Sequence, residues 1–272
     1  MPELPEVEAT RRGIERAAAG RRIRELRIYD ARLRWPVDRA IPALIAGQTL
    51  RAIERRAKYL LLMLERGALI LHLGMSGSLR TLPADTPLRK HDQFDLILDH
   101  GTTLRFNDPR RFGSLHFTLE DPARHRLLQH LAPEPFAAEF DAAYLRRITQ
   151  RRRAAIKQVL MNSRLVTGVG NIYASEALFR ARISPRRSAV RLSQRDCAQL
   201  VRAVRAALAA AIRAGGTTLR DYVGTDGNPG AFRQKLYVYE RDGQPCRRCG
   251  TLIKRITQGQ RSSYYCPHCQ PR

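Results

Sequence analysis

The feature that most restricts how this chain can fold lies near its C-terminal end. Cys246 and Cys249 are separated by two residues, as are Cys266 and Cys269, with sixteen residues between the pairs. Four thiolates at this spacing suit tetrahedral zinc held between two hairpin knuckles, the zinc-ribbon arrangement. His268, inside the second knuckle, could replace one cysteine, but the four-cysteine set is the simpler ligand group. Nothing at the N-terminus reads as a secretion signal, so paired CxxC units indicate metal ligands before disulfides. One structural zinc ion is therefore expected. The fifth cysteine, Cys197, falls in a stretch rich in Ala, Leu and Val and reads as a small packed residue. A ribbon alone does not specify an activity, since binding proteins and enzymes both carry one.

Charge narrows the field. Forty-nine Lys and Arg against 25 Asp and Glu give a formal net charge of +24 over 272 residues, spread along the chain. Such a field attracts polyanions and supplies sequence-independent phosphate affinity. Nucleic acid is the expected partner, with an anionic membrane surface or the ribosome as alternatives. No apolar run approaches the roughly 18 residues needed to span a bilayer, so a cytoplasmic protein with no membrane association is expected.

The length suits about two domains. A helix is predicted from Pro5 to about residue 19, with Val7, Ile14 and Ala18 on one side and Gly20 as its stop. From about 22 to 119 the pattern turns to short strands. Phe94, Leu96 and Leu98 alternate with polar neighbours, as do Leu115, Phe117 and Leu119, and Asp99-His100-Gly101 signals a tight hairpin. Residues 59–64 and 68–73 are continuous apolar runs, as in strands covered on both faces. These strands predict an antiparallel sandwich. Leu131-Ala132-Pro133-Glu134-Pro135 reads as a linker. Helices follow: one capped by Asp141, one over 153–161, one capped by Asn171 and running to 182, and a long one opened by Ser193 and Asp196 that ends near Arg213, before Gly215-Gly216.

Several stretches carry chemistry. Met1-Pro2-Glu3-Leu4-Pro5-Glu6 would, once the initiator is removed, expose a secondary amine. An α-amino group titrates near about 7.7–8.0, so part of it is nucleophilic at neutral pH. Glu3 and Glu6 stand where acid–base work beside that amine would need them, although Pro and Glu are also ordinary helix-start residues. Gly168-Val169-Gly170-Asn171 could bring backbone N–H groups to a phosphate, helped by Arg151, Arg152, Arg153 and Lys157. Two glycine-flanked loops, one around Met75 and one over 108–113, offer Met75, Arg110 and Phe112. These are either core residues or groups that fill the gap left by an extruded base. By itself Lys58, ahead of an apolar strand, reads as a solvated lysine.

Taken together these pieces resemble the bacterial formamidopyrimidine-DNA glycosylases, which remove oxidised purines. The likeness runs end to end: PELPEVE at 2–8, RRAKYLL at 55–61, HLGMSGS at 72–78, KHD at 90–92, DPRRFG at 108–113, GVGNIYASE at 168–176, and the finger with Gln260-Arg261. It implies an α+β protein: a β-sandwich with an N-terminal helix (1–130), a linker (131–140), a helix–two-turn–helix domain with a lesion-reading loop (141–225), and a zinc finger (236–272). Double-stranded DNA containing oxidised purines would lie between the two main domains of a monomer associated with the nucleoid. By the same resemblance the Pro2 nitrogen attacks C1′ and forms a Schiff base, and Glu3 assists ring opening. Lys58 serves β-elimination and Arg261 serves δ-elimination. His91, Arg110, Arg152, Lys157 and Asn171 match DNA-contacting positions, and Met75, Arg110 and Phe112 match the void-filling trio. Thr217, Leu219, Arg220, Asp221 and Tyr222 match the loop that reads the flipped base.

Two rivals remain at this point. The related endonuclease VIII type prefers oxidised pyrimidines, and Leu4 with the Met/Arg/Phe trio argues against it. A non-catalytic zinc-ribbon protein would share the charge and the finger but have no use for Pro2, Glu3 and Lys58.

Overall fold

The computed structural model describes residues 2–216 and 235–271. The described residues form two compact units. One holds residues 2–129 with 214–216, and the other holds 130–213 with 235–271.

The first unit begins with helix α1 (Leu4–Ala18). Val7, Ile14 and Ala18 recur on one face and are fully buried, the periodicity of a helix packed on a sheet. Gly20, at φ 78°, donates to the Leu50 carbonyl and turns the chain into the first strand. That conformation suits glycine. Eight strands follow, β1 (Ile23–Ile28), β2 (Leu50–Arg56), β3 (Tyr59–Leu64), β4 (Ala68–His72), β5 (Ser78–Pro83), β6 (Asp92–Leu98), β7 (Thr102–Asn107) and β8 (Ser114–Thr118), with the short helix α2 (Ile41–Ile45) after β1. They make two antiparallel four-stranded sheets, ordered β1-β6-β7-β5 and β2-β3-β4-β8. Leu26, Phe94, Leu96 and Leu104 from one sheet meet Leu62, Leu69, Leu71 and Leu115 from the other in one core. This is the predicted sandwich. The apolar runs are β3 and β4, and Asp99-His100-Gly101 joins β6 to β7. Leu119 departs from expectation: β8 stops at Thr118, and Leu119 is 71% exposed. Its apolar alternation runs one residue past the paired backbone.

The second unit is helical. Asp141 caps α3 (Ala142–Thr149) by accepting from the Tyr144 N–H, and Ser193 and Asp196 form a reciprocal cap at the start of α6 (Gln194–Arg213). Two helices are shorter than the sequence suggests. α4 covers Ile156–Leu160, because the backbone just ahead of it pairs with another segment: Val190 donates to Arg152, Ala189 to Ala154 and Ile156 to Arg187. α5 covers Asn171–Arg180 with Gly170, not Asn171, at the cap position. Asn171 is its first residue, and its side chain is used elsewhere. Arg182 adopts φ 55° after the helix has ended.

Candidate active site and DNA-binding groups

The start of α1 places the opening motif. Pro2 and the residues behind it are buried, Glu3 to 2% exposure and Glu6 to 1%. Glu3 sits at the cap position in extended conformation, and its N–H donates to Glu6 Oε2 at 2.8 Å. The Glu6 carboxylate is thereby held against the backbone of Glu3, the residue that follows Pro2. Gly216 packs here as well: a Cβ on it would lie 3.2 Å from Glu6 Cγ and Oε1, so the chain leading toward residue 217 starts against this helix. Thr217, Leu219, Arg220, Asp221 and Tyr222 lie outside the described residues.

Lys58 occupies the two-residue turn between β2 and β3, where Arg56 pairs with Tyr59. Its neighbour Ala57 has φ 55°, a conformation that costs a non-glycine residue roughly 1–2 kcal/mol. Six described non-glycine residues have positive φ: Ala57, His91, Arg111, Arg182, Glu240 and Gln260. Four of them are, or directly adjoin, predicted site residues: Ala57 beside Lys58, His91 itself, Arg111 between Arg110 and Phe112, and Gln260 beside Arg261. Strain of this kind persists where the surroundings enforce it and tends to collect at functional sites.

The two glycine-flanked loops are built as one device. Gly74, at φ 68°, lies against the other loop so closely that a Cβ would be 2.4 Å from the Gly113 nitrogen. Asp108 is fully buried and accepts from Ser76 Oγ at 2.7 Å, the Gly113 N–H at 2.7 Å and the Arg110 N–H at 3.3 Å. One carboxylate thus joins both loops. What they present is outward: Met75 is 36% exposed, Phe112 44%, and the Arg110 guanidinium stacks 4.8 Å above the Phe112 ring. The alternative that Met75 and Phe112 are core residues fails. Asp108 and Ser76 were not identified from the sequence, because no periodicity connects residues 32 apart; only their placement inside the two motifs hinted at a role.

His72 closes β4 just ahead of the first loop. Its Nδ1 accepts from the Gly74 N–H at 2.9 Å, which fixes the proton on Nε2. Burial, then the charges of Lys58 and Arg34, pull its pKa from 6.5 down to about 4. The unfolded chain therefore takes up this proton first as pH falls, so the stabilisation is complete above pH 6.5 and is lost on descent toward pH 4. A shift of this size corresponds to about 3 kcal/mol. His72→Asn retains an acceptor at the Nδ1 position and cannot titrate. Urea melts should show a smaller loss of stability between pH 7 and 4.5 in that variant; an unchanged loss would refute this role.

In the second unit, Lys157 is only 2% exposed. Its ammonium donates to Asn171 Oδ1 at 2.6 Å, to the Ser262 carbonyl at 2.9 Å and to Ser263 Oγ at 2.7 Å, so it works inside the protein, joining α4 and α5 to the finger. Arg152 is exposed. The finger hairpin pairs β9 (Lys254–Gln258) with β10 (Arg261–Tyr265). Gly259 (φ 52°) and Gln260 (φ 61°) form its turn, a pair of left-handed residues matched to strand twist. Arg261 stands exposed at that tip. Glu176, another residue that escaped sequence reading, is buried on α5 and accepts from the N–H groups of Tyr237, Val238 and Tyr239 at 2.9–3.1 Å. A lone carboxylate among apolar helix neighbours gave no signal of this partner.

The four cysteine sulfurs lie within 4.8 Å of one another. Cys249–Cys269 is 3.4 Å, Cys249–Cys266 is 3.5 Å and Cys246–Cys269 is 3.9 Å. Zinc–sulfur bonds of about 2.3 Å in a tetrahedron require edges of about 3.8 Å. The set fits one zinc ion, and His268, exposed beside it, is not needed. The knuckle N–H groups of Arg248 and Cys269 point at Cys246 and Cys266 sulfurs, 3.4 Å each, as thiolates require.

Models of known families cover nearly all of this geometry. The formamidopyrimidine-DNA glycosylase N-terminal domain matches residues 1–115, the H2TH domain of the same enzymes matches 131–223, and the zinc finger found in these glycosylases and in isoleucyl-tRNA synthetase matches 243–272. The chain belongs to the formamidopyrimidine-DNA glycosylase family. It is 56% identical over 271 residues to the formamidopyrimidine-DNA glycosylase of Thioalkalivibrio sulfidiphilus, covering 99% of this chain and all of that one. It is 53% identical to that of Alkalilimnicola ehrlichii, covering 99% and 100%. Among solved structures it is similar to the MutM (Fpg) protein of Thermus thermophilus, with TM-score 0.88, 40% identity and coverage of 99% and 98%. It also resembles the Lactococcus lactis Fpg in complex with DNA containing an abasic site, with TM-score 0.92, 31% identity and full coverage of both chains.

Proposed function

We propose that this glycosylase excises oxidised purines, 8-oxoguanine and formamidopyrimidines, from duplex DNA and then cleaves the strand. The observation that carries the reading is the buried start of α1, where Pro2 is followed by Glu3 and by the Glu6 carboxylate that holds the Glu3 N–H. The Pro2 nitrogen bonds to C1′, and the C1′–base bond breaks with its electron pair leaving on the base. The proton lost from the Pro2 nitrogen passes through Glu3 to the ring oxygen as the C1′–O4′ bond opens, leaving an iminium. Lys58 then removes the C2′ proton; the C3′–O bond breaks, a C2′=C3′ double bond forms and the phosphate departs with the electron pair. Arg261 serves the second elimination, in which the C4′–H and C5′–O bonds break, and its guanidinium suits a departing phosphate. No step uses the metal, in keeping with a zinc ion that only shapes the finger.

Met75, Arg110 and Phe112 fill the space of the extruded nucleotide. His91, Arg152 and Asn171 contact the DNA backbone, and Lys157 supports them by anchoring Asn171 and the strand behind Arg261. Residues 1–130 carry the reacting groups other than Arg261, 141–225 the helix–two-turn–helix domain with the lesion loop at 217–222, 131–140 the linker, and 236–272 the finger with Arg261. The enzyme acts as a monomer on chromosomal DNA in the cytoplasm. No helix among the described residues is long and apolar enough to cross a membrane.

A lesion panel tests this. Duplexes with 8-oxoguanine opposite cytosine should be cleaved, and trapped by borohydride as a covalent adduct, far more readily than duplexes with thymine glycol. Preference for thymine glycol would move the chain to the pyrimidine-specific branch. Binding without any adduct would leave only a nucleic-acid-binding protein.

A further inference from the structure

Glu8 is the carboxylate of the opening motif for which the reaction has no use, yet it is among the best held in the first unit. It is 8% exposed on α1 and receives three guanidinium groups: Arg12 at 2.8 Å, Arg11 at 3.1 Å and Arg55 at 3.2 Å. Two of these arginines reach onward into the sheet. Arg11 Nη1 donates to the Ile53 carbonyl at 3.2 Å, and Arg55 Nη1 donates to the Ala57 carbonyl at 3.0 Å. Ala57 is the left-handed residue of the β2–β3 turn, and Lys58 follows it. A line of charge-assisted hydrogen bonds therefore runs from the helix that delivers Pro2, through Glu8 and Arg55, to the turn that delivers Lys58.

We propose that Glu8 and Arg55 are positioning residues that lock the Ala57-Lys58 turn to α1 and thereby govern strand cleavage and not base release. The proposal rests on the reading that Lys58 takes the C2′ proton. A turn with alanine at φ 55° gains by relaxing, and lysine adds a long rotatable stem. Holding the Ala57 carbonyl limits the first and fixes the backbone from which that stem departs. The planar guanidinium satisfies Glu8 through Nε and Ala57 through Nη1 at the same moment, a bridge that a single ammonium centre cannot reproduce. Base release depends on Pro2 and Glu3, which are set by the helix start and need no help from the turn. The C2′ proton transfer depends on where the Lys58 amine sits, and displacements near 1 Å can cost about 100-fold.

The test uses the full-length, zinc-loaded enzyme in single-turnover reactions on an 8-oxoguanine duplex. Base release is measured as strand breaks after hot alkali, strand cleavage as breaks without alkali, and the iminium by borohydride trapping. Wild type is compared with Arg55→Gln, Arg55→Lys, Glu8→Gln and Lys58→Gln. In the Glu8 and Arg55 variants, alkali-revealed release and trapping should stay within about threefold of wild type while cleavage slows by about 10- to 100-fold. Arg55→Lys, which keeps the charge, should not restore it. Proportional loss of release and cleavage, or cleavage at the wild-type rate, overturns the proposal. If Lys58→Gln cleaves normally, the assignment of Lys58 fails first and the proposal falls with it. If wild type gives no adduct, the whole reaction scheme fails.

Discussion

A preparation of this enzyme that retains Met1 is expected to bind 8-oxoguanine DNA, release no base and give no borohydride-trapped adduct. With Met1 in place the Pro2 nitrogen is a tertiary amide whose lone pair is delocalised into the carbonyl, and it cannot attack C1′. With Met1 removed the same atom is a secondary amine, and a secondary amine yields an iminium that keeps its positive charge without needing a proton. That fixed charge is what acidifies the C2′ hydrogen for the next step. Loss of a nucleophile typically costs at least about 10³-fold in rate, larger than any other substitution considered. Pro2→Gly keeps an amine but gives an imine that must be protonated to act, so it should trap more slowly than wild type and far better than the Met1-bearing protein. Intact-mass analysis paired with the trapping assay decides the matter. Full activity in a sample whose every molecule carries Met1 would exclude the amine as nucleophile.

How far the sequence foretold this site depends on the range over which each group acts. The finger was legible because its ligands are local: two knuckles of two-residue spacing carry the whole requirement, and the sulfur tetrahedron follows. The sandwich was legible because alternation and apolar runs reflect burial of whole strand faces, as in β3, β4 and β6. Helix limits were less so. The start of α4 is set by pairing of residues 152–156 with 187–190, which propensity cannot register. The supports of the site were the least legible. Asp108 joins loops 32 residues apart, Arg55 reaches Glu8 across 47, Glu176 binds backbone about 60 residues on, and Lys157 reaches Ser263 across 106. Such partners leave no local pattern. Sequence reading singles out the residues proposed to meet the substrate, some by unusual local chemistry and others, such as Lys58, by the family resemblance alone. It passes over those that hold them in place, which look like ordinary surface charges until the fold brings their partners up.

Removing zinc should have the second large effect. The finger owns little core: Val238, Cys246, Ile253, Tyr264 and Cys266, sharing Phe179 of α5, with Arg248 stacked 4.5 Å above the Phe179 ring. So few apolar groups cannot repay the ordering entropy of the segment from 236 onward. Structural zinc supplies about 10–16 kcal/mol in modules of this kind at pH 7. Chelation, or Cys249→Ser, should therefore unfold the β9–β10 hairpin. Chelation should expose four reactive thiols, and Cys249→Ser the three that remain, while Cys197, buried in α6, stays protected. The consequence then spreads along the bonds already described. Once β10 loses its place, Lys157 loses its acceptors at Ser262 and Ser263, Asn171 loses a fixed partner, and Arg261 is no longer presented. DNA affinity should fall by at least about 100-fold, since several phosphate contacts are lost together, while the sandwich keeps its melting transition because its core contains none of these residues. Zinc release, thiol titration and DNA binding can be followed in one chelator titration. The three should change together, with one zinc per chain; full DNA affinity in metal-free protein would refute the claim that the ion holds the finger in its DNA-binding form.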